Sequence, residues 1–395
     1  MSEIRVNSLK GLGASTAAIS VNNSDGTCTA NLTSIGGSQL SNRNKVINGA
    51  MIISQRYGTT VQTGLSGNVS AYYIDRFKLE LDNLGTWSIS QSTDTPDGFG
   101  YSLKLDCTTE DPVPSSSDLL MISHRMEGQN LQDLQKGTSG AKKVVVSFYA
   151  KSTKTGTFIV ELIDKDNSSR HINKSYTVSD TNWNRYTIEF AGDTTGTLDN
   201  DANRSLDLNF WLGGGLNYTS GTLQTSWGAD TNANRYVGGT NLADDTSNEF
   251  YITGIQLEVS NMGVATDFEH RSFAQELQLC KRYFNMYSRT DSDSGNEAFI
   301  ANGFYWSTSR FMAPLRFDVP MRTNSWSLYK VVGTNYFKIY NNGQGNHNVS
   351  DFGLNGQSHV SSAHLNIDSG ISSSGDAGVF FTLNSAARIG FDAEL

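Results

Sequence analysis

The chain is poor in residues that staple a protein together or charge its surface. It has three cysteines in 395 residues, Cys28, Cys107 and Cys280, far apart and odd in number. No C-x-x-C pair occurs, so neither a zinc ribbon nor a disulfide framework is indicated. The cysteines read as small buried hydrophobes of a protein made in a reducing compartment. Only 17% of residues are charged, with 39 acids, 30 bases and a net charge of −9. No cationic stripe is present to follow a phosphate backbone, so no nucleic-acid partner is expected, and the mildly acidic surface favours solubility. No apolar stretch follows Met1, and none approaches the roughly 18 residues that cross a bilayer. Neither classical secretion nor membrane insertion is expected.

Catalytic and metal signatures are equally sparse. There is no G-x-S-x-G elbow, P-loop or H-E-x-x-H, and Gly11-x-Gly13 lacks a third glycine. The histidines His124, His171, His270, His347, His359 and His364 share no metal-ligand spacing. Asp199-Asn200-Asp201-Ala202-Asn203 alternates oxygen ligands, but Arg204 stands sixth and no Glu stands twelfth. A solvated turn is the reading, with a looser calcium site as its rival. Glycan cleavage would need two spaced carboxylates, and nothing singles out a pair. No catalytic residue, metal ligand or cofactor is assigned, and an enzyme is not expected.

What the chain does have is Gly, Ser, Thr and Asn in place of charge, with 38 glycines and 10% aromatics. That mixture suits short strands joined by tight turns, and the length suits two or three domains. Residues 144–150, 157–163, 183–190, 205–212 and 250–259 read as half-buried strands, with period-two alternation in 183–190 and 205–212. The fold expected is all-β, a jelly-roll β-sandwich over 43–268. Phe273, Leu277, Cys280, Phe284 and Tyr287 recur at spacings of four and three, after an S-x-x-Q capping box at Ser272 and Gln275. These predict one linking α-helix within 269–290, packed on a sheet. Strands at 298–305, 311–319, 326–330, 335–340, 359–367 and 379–383 predict a smaller C-terminal β-sandwich over 291–395, with Asn341-Asn342-Gly343 as a hairpin turn. Residues 1–42 read as an extended docking or oligomerisation segment, with Ile4, Val6 and Leu9 as its apolar contacts, because such short strands cannot enclose a core alone.

Aromatic residues near loops are candidates for sugar contact. Trp211, Tyr218 and Trp227 straddle Gly213-Gly214-Gly215, while Trp87, Phe99 and Tyr101 bracket Pro96-Asp97-Gly98. Ring faces with amide and carboxylate neighbours hold sugars by stacking and directional hydrogen bonds; burial inside the sandwich is the rival reading. In the 205–212 strand Trp211 shares a face with Asp207 and Asn209, opposite Leu206, Leu208, Phe210 and Leu212. It is therefore expected to point outward, unless a loop or another chain covers it. Trp227 and Tyr218 are favoured for their loop surroundings.

Several segments carry a resemblance. Arg43-Asn44-Lys45-Val46-Ile47-Asn48-Gly49-Ala50-Met51 and Tyr72-Tyr73-Ile74-Asp75-Arg76-Phe77 are similar to the opening elements of a module found in tail-fibre and virion structural proteins of phages. The stretch from Tyr251-Ile252-Thr253-Gly254-Ile255-Gln256-Leu257-Glu258-Val259 through Phe268-Glu269-His270-Arg271-Ser272 to Cys280-Lys281-Arg282-Tyr283-Phe284 resembles the module's "ITGVQLEVG…ATPFEHRSYxEELxLCxRYY" pattern. Asp267 stands where the pattern has proline. The likeness covers about residues 43–290 and touches the Asp392-Ala393-Glu394-Leu395 ending. It implies a carbohydrate-binding-module-like jelly roll on a phage particle. The expected protein is a tail fibre or similar appendage of the virion, assembled in the host cytoplasm and released by lysis. Its implied partners are other virion proteins, itself as a homotrimer, and host-surface polysaccharide. A particle-bound depolymerase, or a decoration or connector protein without a receptor role, is the alternative.

Overall fold

Period-two alternation dominates the sequence, and side chains that alternate between two faces make sheets with one face to a core. The computed structural model describes residues 8–9, 19–22, 24, 28–30, 41–260, 263–289, 297–341, 345–356, 359–368 and 372–395. At the N-terminus β1 (Ser8–Leu9), β2 (Ile19–Val21) and β3 (Cys28–Ala30) form an antiparallel sheet in that order. Leu9 sits in β1, whereas Ile4 and Val6 lie outside the described residues.

The first sandwich uses twelve strands. They are β4 (Gln62–Leu65), β5 (Asn68–Ile74), β6 (Phe77–Asp82), β7 (Thr86–Ser92), β8 (Ser102–Thr109), β9 (Leu119–Glu127), β10 (Val144–Ser152), β11 (Gly156–Asp164), β12 (Arg170–Val178), β13 (Asn184–Phe190), β14 (Arg204–Gly214) and β15 (Glu249–Val259). They pair antiparallel into two six-stranded sheets, β13-β10-β15-β8-β7-β4 and β12-β11-β14-β9-β6-β5. Phe148, Ile252 and Leu257 of the first sheet meet Phe158, Leu208 and Phe210 of the second in one core. Each such side chain contributes about 1.5–3 kcal/mol when fully buried. This is a jelly-roll β-sandwich. Between β14 and β15 the chain makes one helical turn, α1 (Leu216–Thr219), within a long covering segment.

The capping box forms as read. Ser272 Oγ accepts from the Gln275 amide at 3.3 Å, and Gln275 Oε1 accepts from the Ser272 amide at 3.1 Å. Helix α2 (Phe273–Lys281) is shorter than the four-three spacing predicted. Phe284 and Tyr287 belong instead to a strand, β16 (Phe284–Arg289), because Phe284 and its neighbours pair with the last strand of the chain, with Tyr287 at a bulge in that pairing. Phe273 is left on the surface, and α2 packs on the loop before β4 rather than on a sheet, through Ile47, Ile53 and Cys280.

The C-terminal unit continues with β17 (Phe299–Ser307), β18 (Arg310–Arg316), β19 (Ser327–Val331), β20 (Phe337–Asn341), β21 (Gly345–Val349), β22 (Gly353–Leu354), β23 (Ser362–Asp368), β24 (Ala377–Thr382) and β25 (Arg388–Asp392). Its sheets are β16-β25-β19 and β21-β20-β24-β17-β18-β23-β22, around Tyr305, Phe311, Phe337, Phe380 and Phe391. Because β16 starts at residue 284, this unit begins earlier in the chain than the 291 boundary expected from the polar run.

The segments that carry the phage-module resemblance converge where the two units meet. Asn48 Nδ2 donates to the carbonyls of Ile53 and Asp75 at 2.8 and 2.9 Å. Gly49 lies so close to β15 that a Cβ would sit 2.1 Å from the Ile255 carbonyl oxygen. Glu269 accepts from the Asn44 amide at 2.8 Å, and Glu276 from that of Asn48 at 2.5 Å. The Arg76 guanidinium lies 3.4 Å from the Tyr283 ring centre and is ion-paired to Glu394. In this chain those segments are joinery.

Candidate functional site

The sheet β12-β11-β14-β9-β6-β5 turns its apolar residues inward, which leaves the intervening ones on its outer face. The strand register places six polar residues in one row across all six strands. Asn173 faces Glu161, Glu161 faces Asn209, Asn209 faces Ser123, Ser123 faces Lys78, and Lys78 faces Tyr72. On one side runs a mixed row, Ser175, Ile159, Trp211, Met121, Glu80 and Ser70, and on the other His171, Ile163, Asp207 and Arg125.

At the β11–β14 end this face is roofed. The segment between β14 and β15 folds back so that Trp211 and Tyr236 stack at 5.7 Å and Tyr218 packs beside them at 5.2 Å. Under that roof lies the Glu161 carboxylate, which is fully buried. It accepts from Arg235 Nε and Nη2, each at 2.7 Å, from Asn209 Nδ2 at 2.8 Å and from Trp211 Nε1 at 3.1 Å. Burial alone would raise its pKa. The Arg235 charge and the hydrogen bonds outweigh burial and hold Glu161 below the ordinary carboxylate range. His171 Nδ1 lies 3.7 Å from Glu161. Its own burial nevertheless dominates, and its pKa is lowered.

Toward β9, β6 and β5 the row stays buried at Ser123 and Lys78 and Tyr72 donates to the Leu395 carbonyl, so exposure there lies with the half-buried residues beside the row. Glu80 is shared by Lys78 Nζ at 3.0 Å and Arg125 Nη2 at 2.7 Å, and Asp207 accepts from Arg204 Nε at 2.7 Å. Met121, Tyr218, Arg125 and Arg204 are half-buried around this patch. Burial lowers the pKa of Lys78. The patch offers ring and thioether surface beside guanidinium and carboxylate groups, while Asn209, Ser123 and Lys78 of the polar row are themselves buried. Glu161, Asp207 and Glu80 are each paired with a cation, while Asp82, on the same face of β6, accepts from Asn83 Nδ2 at 2.7 Å.

The three aromatic candidates do not form one site. Trp211 does point out of the sandwich, but the covering segment buries it completely, so its ring offers no open face. Tyr218 lies at the border of the half-buried patch. Trp227 is elsewhere, wedged against the rim of the main core with Nε1 donating to the Ala191 carbonyl at 2.7 Å. Trp87 is buried in the core. Asp201 closes a turn by accepting from the Asn203 amide at 2.9 Å, and among the described residues no group of three or more His, Cys, Asp or Glu is placed to hold a metal. The sequence reading passed over Glu161, Arg235, Asn173, Ser123 and Lys78. The phase argument used for Trp211 would have turned Glu161 outward too, since Phe158, Val160 and Leu162 occupy the opposite face.

No family model and no curated protein matches the sequence. Several solved structures are similar in fold over part of the chain. The enzymatically active domain of bacteriophage CBA120 tailspike protein 4 covers 55% of this chain at 12% identity and a TM-score of 0.27. That match takes in 21% of the tailspike chain. A putative sugar binding protein from Bacteroides thetaiotaomicron covers 55% of this chain and 100% of its own, at 10% identity and a TM-score of 0.30. A family 11 carbohydrate-binding module from Clostridium thermocellum, in complex with a β-1,3-1,4-mixed-linked tetrasaccharide, covers 53% of this chain and 99% of its own. Its identity is 13% and its TM-score 0.27.

Proposed function

We propose that this protein is an attachment component of a phage particle that recognises a host-surface glycan on the outer face of the β12-β11-β14-β9-β6-β5 sheet. The observation that carries the reading is the unbroken polar row from Asn173 to Tyr72. A sheet face that only needed covering would be filled with apolar side chains, since burying unneeded polar groups costs stability. Hydroxyl-rich ligands need fixed donors and acceptors next to ring surface, and the half-buried Tyr218, Arg204, Arg125 and Glu80 beside the buried row supply them. Recognition fits the electrostatics better than hydrolysis. A general acid must hold a proton near neutral pH, whereas Glu161, Asp207 and Glu80 are each paired with a cation. The virion setting is supported by the resemblance of residues 43–290, with β1–β3 docking on another particle subunit.

The test is affinity electrophoresis against host capsule and lipopolysaccharide, with the wild type and the variants Tyr218→Ala and Arg204→Ala. Binding by the wild type and roughly tenfold weaker binding by each variant are expected, since directional contacts of this kind carry about 1–2 kcal/mol each. Retention of full affinity by both variants, or no retardation of the wild type by any host polysaccharide, would sink the reading. Release of oligosaccharides by the wild type would convert it into a depolymerase.

A further inference from the structure

The most exposed aromatic surface of the chain lies away from the polar row, on one sheet of the C-terminal unit. Phe299, Phe304, Trp306 and Tyr340 are 59, 41, 63 and 45% exposed. Their strands, β17 and β20, flank β24 in the seven-stranded sheet. Tyr305 and Ile339 are buried in the core, so residues 304, 306 and 340 must point to the opposite side. Cross-strand neighbours extend the apolar surface. Phe304 faces Met312, Tyr340 faces Val379, and Phe299 faces Phe381 with the rings edge-on at 6.1 Å.

We propose that this outer face is a self-association surface through which copies of this chain pack against one another. Size is the first argument. At ~200 Å² per aromatic side chain, the four exposed fractions leave about 400 Å² of ring surface, to which the half-buried Val379 adds a little and the buried Met312 almost nothing. Contiguous apolar patches of that extent mark interaction sites, and one partner in a stable interface contributes ~800 Å². Charge is the second. Copies with a net charge of −9 repel one another over most of their surface. Here Lys338, whose ammonium lies 5.4 Å from the Phe381 ring centre, is matched to Glu297 at 2.5 Å, and at the rim Arg310 is matched to Asp368 at 3.9 Å. An apolar centre inside a polar rim is the anatomy of a protein interface. The cross-strand neighbours of these rings are Met312, Val379 and Phe381, with Asn346 on the outer side of Tyr340. The surface is distinct from the polar row, so the inference stands whether or not a glycan binds there.

The experiment combines sedimentation velocity with hydroxyl-radical footprinting of the full-length wild type over a hundredfold range of concentration. Association is expected as concentration rises, with Phe304, Trp306 and Tyr340 becoming protected while Phe273, equally exposed on α2, stays reactive. A Phe304→Ser/Trp306→Ser variant should associate at least about tenfold more weakly, and a Phe273→Ser variant should match the wild type. A wild type that remains monomeric throughout, or one that associates while residues 304, 306 and 340 stay reactive, overturns the proposal. So does protection that appears only when oligosaccharide is added. The wild-type footprint decides the matter even if the double variant folds poorly.

Discussion

Glu161 shows what a single buried side chain decides in this sandwich. Its carboxylate joins Arg235 of the covering segment to Asn209 and Trp211 of β14, so it ties the roof to the sheet. Removing one charge of a buried pair leaves the other uncompensated, at a cost of about 3–5 kcal/mol. Glu161→Gln should lower unfolding free energy by that order in urea titrations, and Glu161→Gln/Arg235→Gln should recover much of the loss. Equal losses in the single and double variants would show that the pair is not coupled. Asp75 gives a second residue-level expectation. Full burial pushes its pKa up from 3.8 to about 6, although Arg56 and the Gln55 hydrogen bonds pull the other way. A carboxyl raised in the folded state favours folding when protonated, so its contribution is complete below pH ~4 and is lost as pH rises through 6. The wild type should therefore lose about 2 kcal/mol relative to Asp75→Asn between pH 4 and pH 7. Chemical denaturation at the two pH values measures this, and parallel profiles would refute it. In the sequence only the facing direction of such residues was legible. Alternation turned Trp211 outward correctly, but that residues 218 and 236 return to cover it is a long-range fact carried by no local pattern.

At the scale of elements, what could be read was whatever short-range physics determines. Strands β10, β11, β13, β14 and β15 were visible because their alternation or apolar content is intrinsic to each segment. The capping box was visible because both partners lie within one turn. Ser272→Ala removes the side-chain acceptor of the Gln275 amide and should cost about 1 kcal/mol, read as a shift in denaturation midpoint. The end of α2 was not legible. Four-three spacing continued through Phe284 and Tyr287 by coincidence, and pairing of Phe284 with Asp392 decides for strand. Short partners such as β22 (Gly353–Leu354) exist only because β23 offers an edge, so their own residues announce little. The six-strand polar row was hidden for the same reason, since it depends on registers that join residues 72, 78, 123, 161, 173 and 209.

For the whole molecule, the question is whether two units behave as one. Two cores were foreseeable from the succession of strands, but the clamp between them was not, because it joins residues near 50–80 to the last four described. The Arg56 guanidinium reaches Asp392 at 2.8 Å and Glu394 at 3.6 Å, Tyr72 donates to the Leu395 carbonyl at 2.8 Å, and Arg322 to that of Ala393 at 2.8 Å. Arg76 has no exposed side-chain surface, and Glu394 supplies its counter-charge. The quoted "Y-x-x-D-R-F" and terminal segments thus had a recognisable pattern whose role in coupling appears only in three dimensions. Glu394→Gln strands a buried guanidinium, so it should weaken the junction by about 3–5 kcal/mol. Differential scanning calorimetry should then resolve separate transitions for the units, where the wild type gives one. The ion pair Lys281–Asp318 is the internal comparison, because it spans the same junction at 3.3 Å but Asp318 is 85% exposed. Solvent-exposed pairs contribute little, so Asp318→Asn should leave the single transition intact. If Asp318→Asn split the transition while Glu394→Gln did not, the junction would be held by its surface and the buried clamp would be incidental.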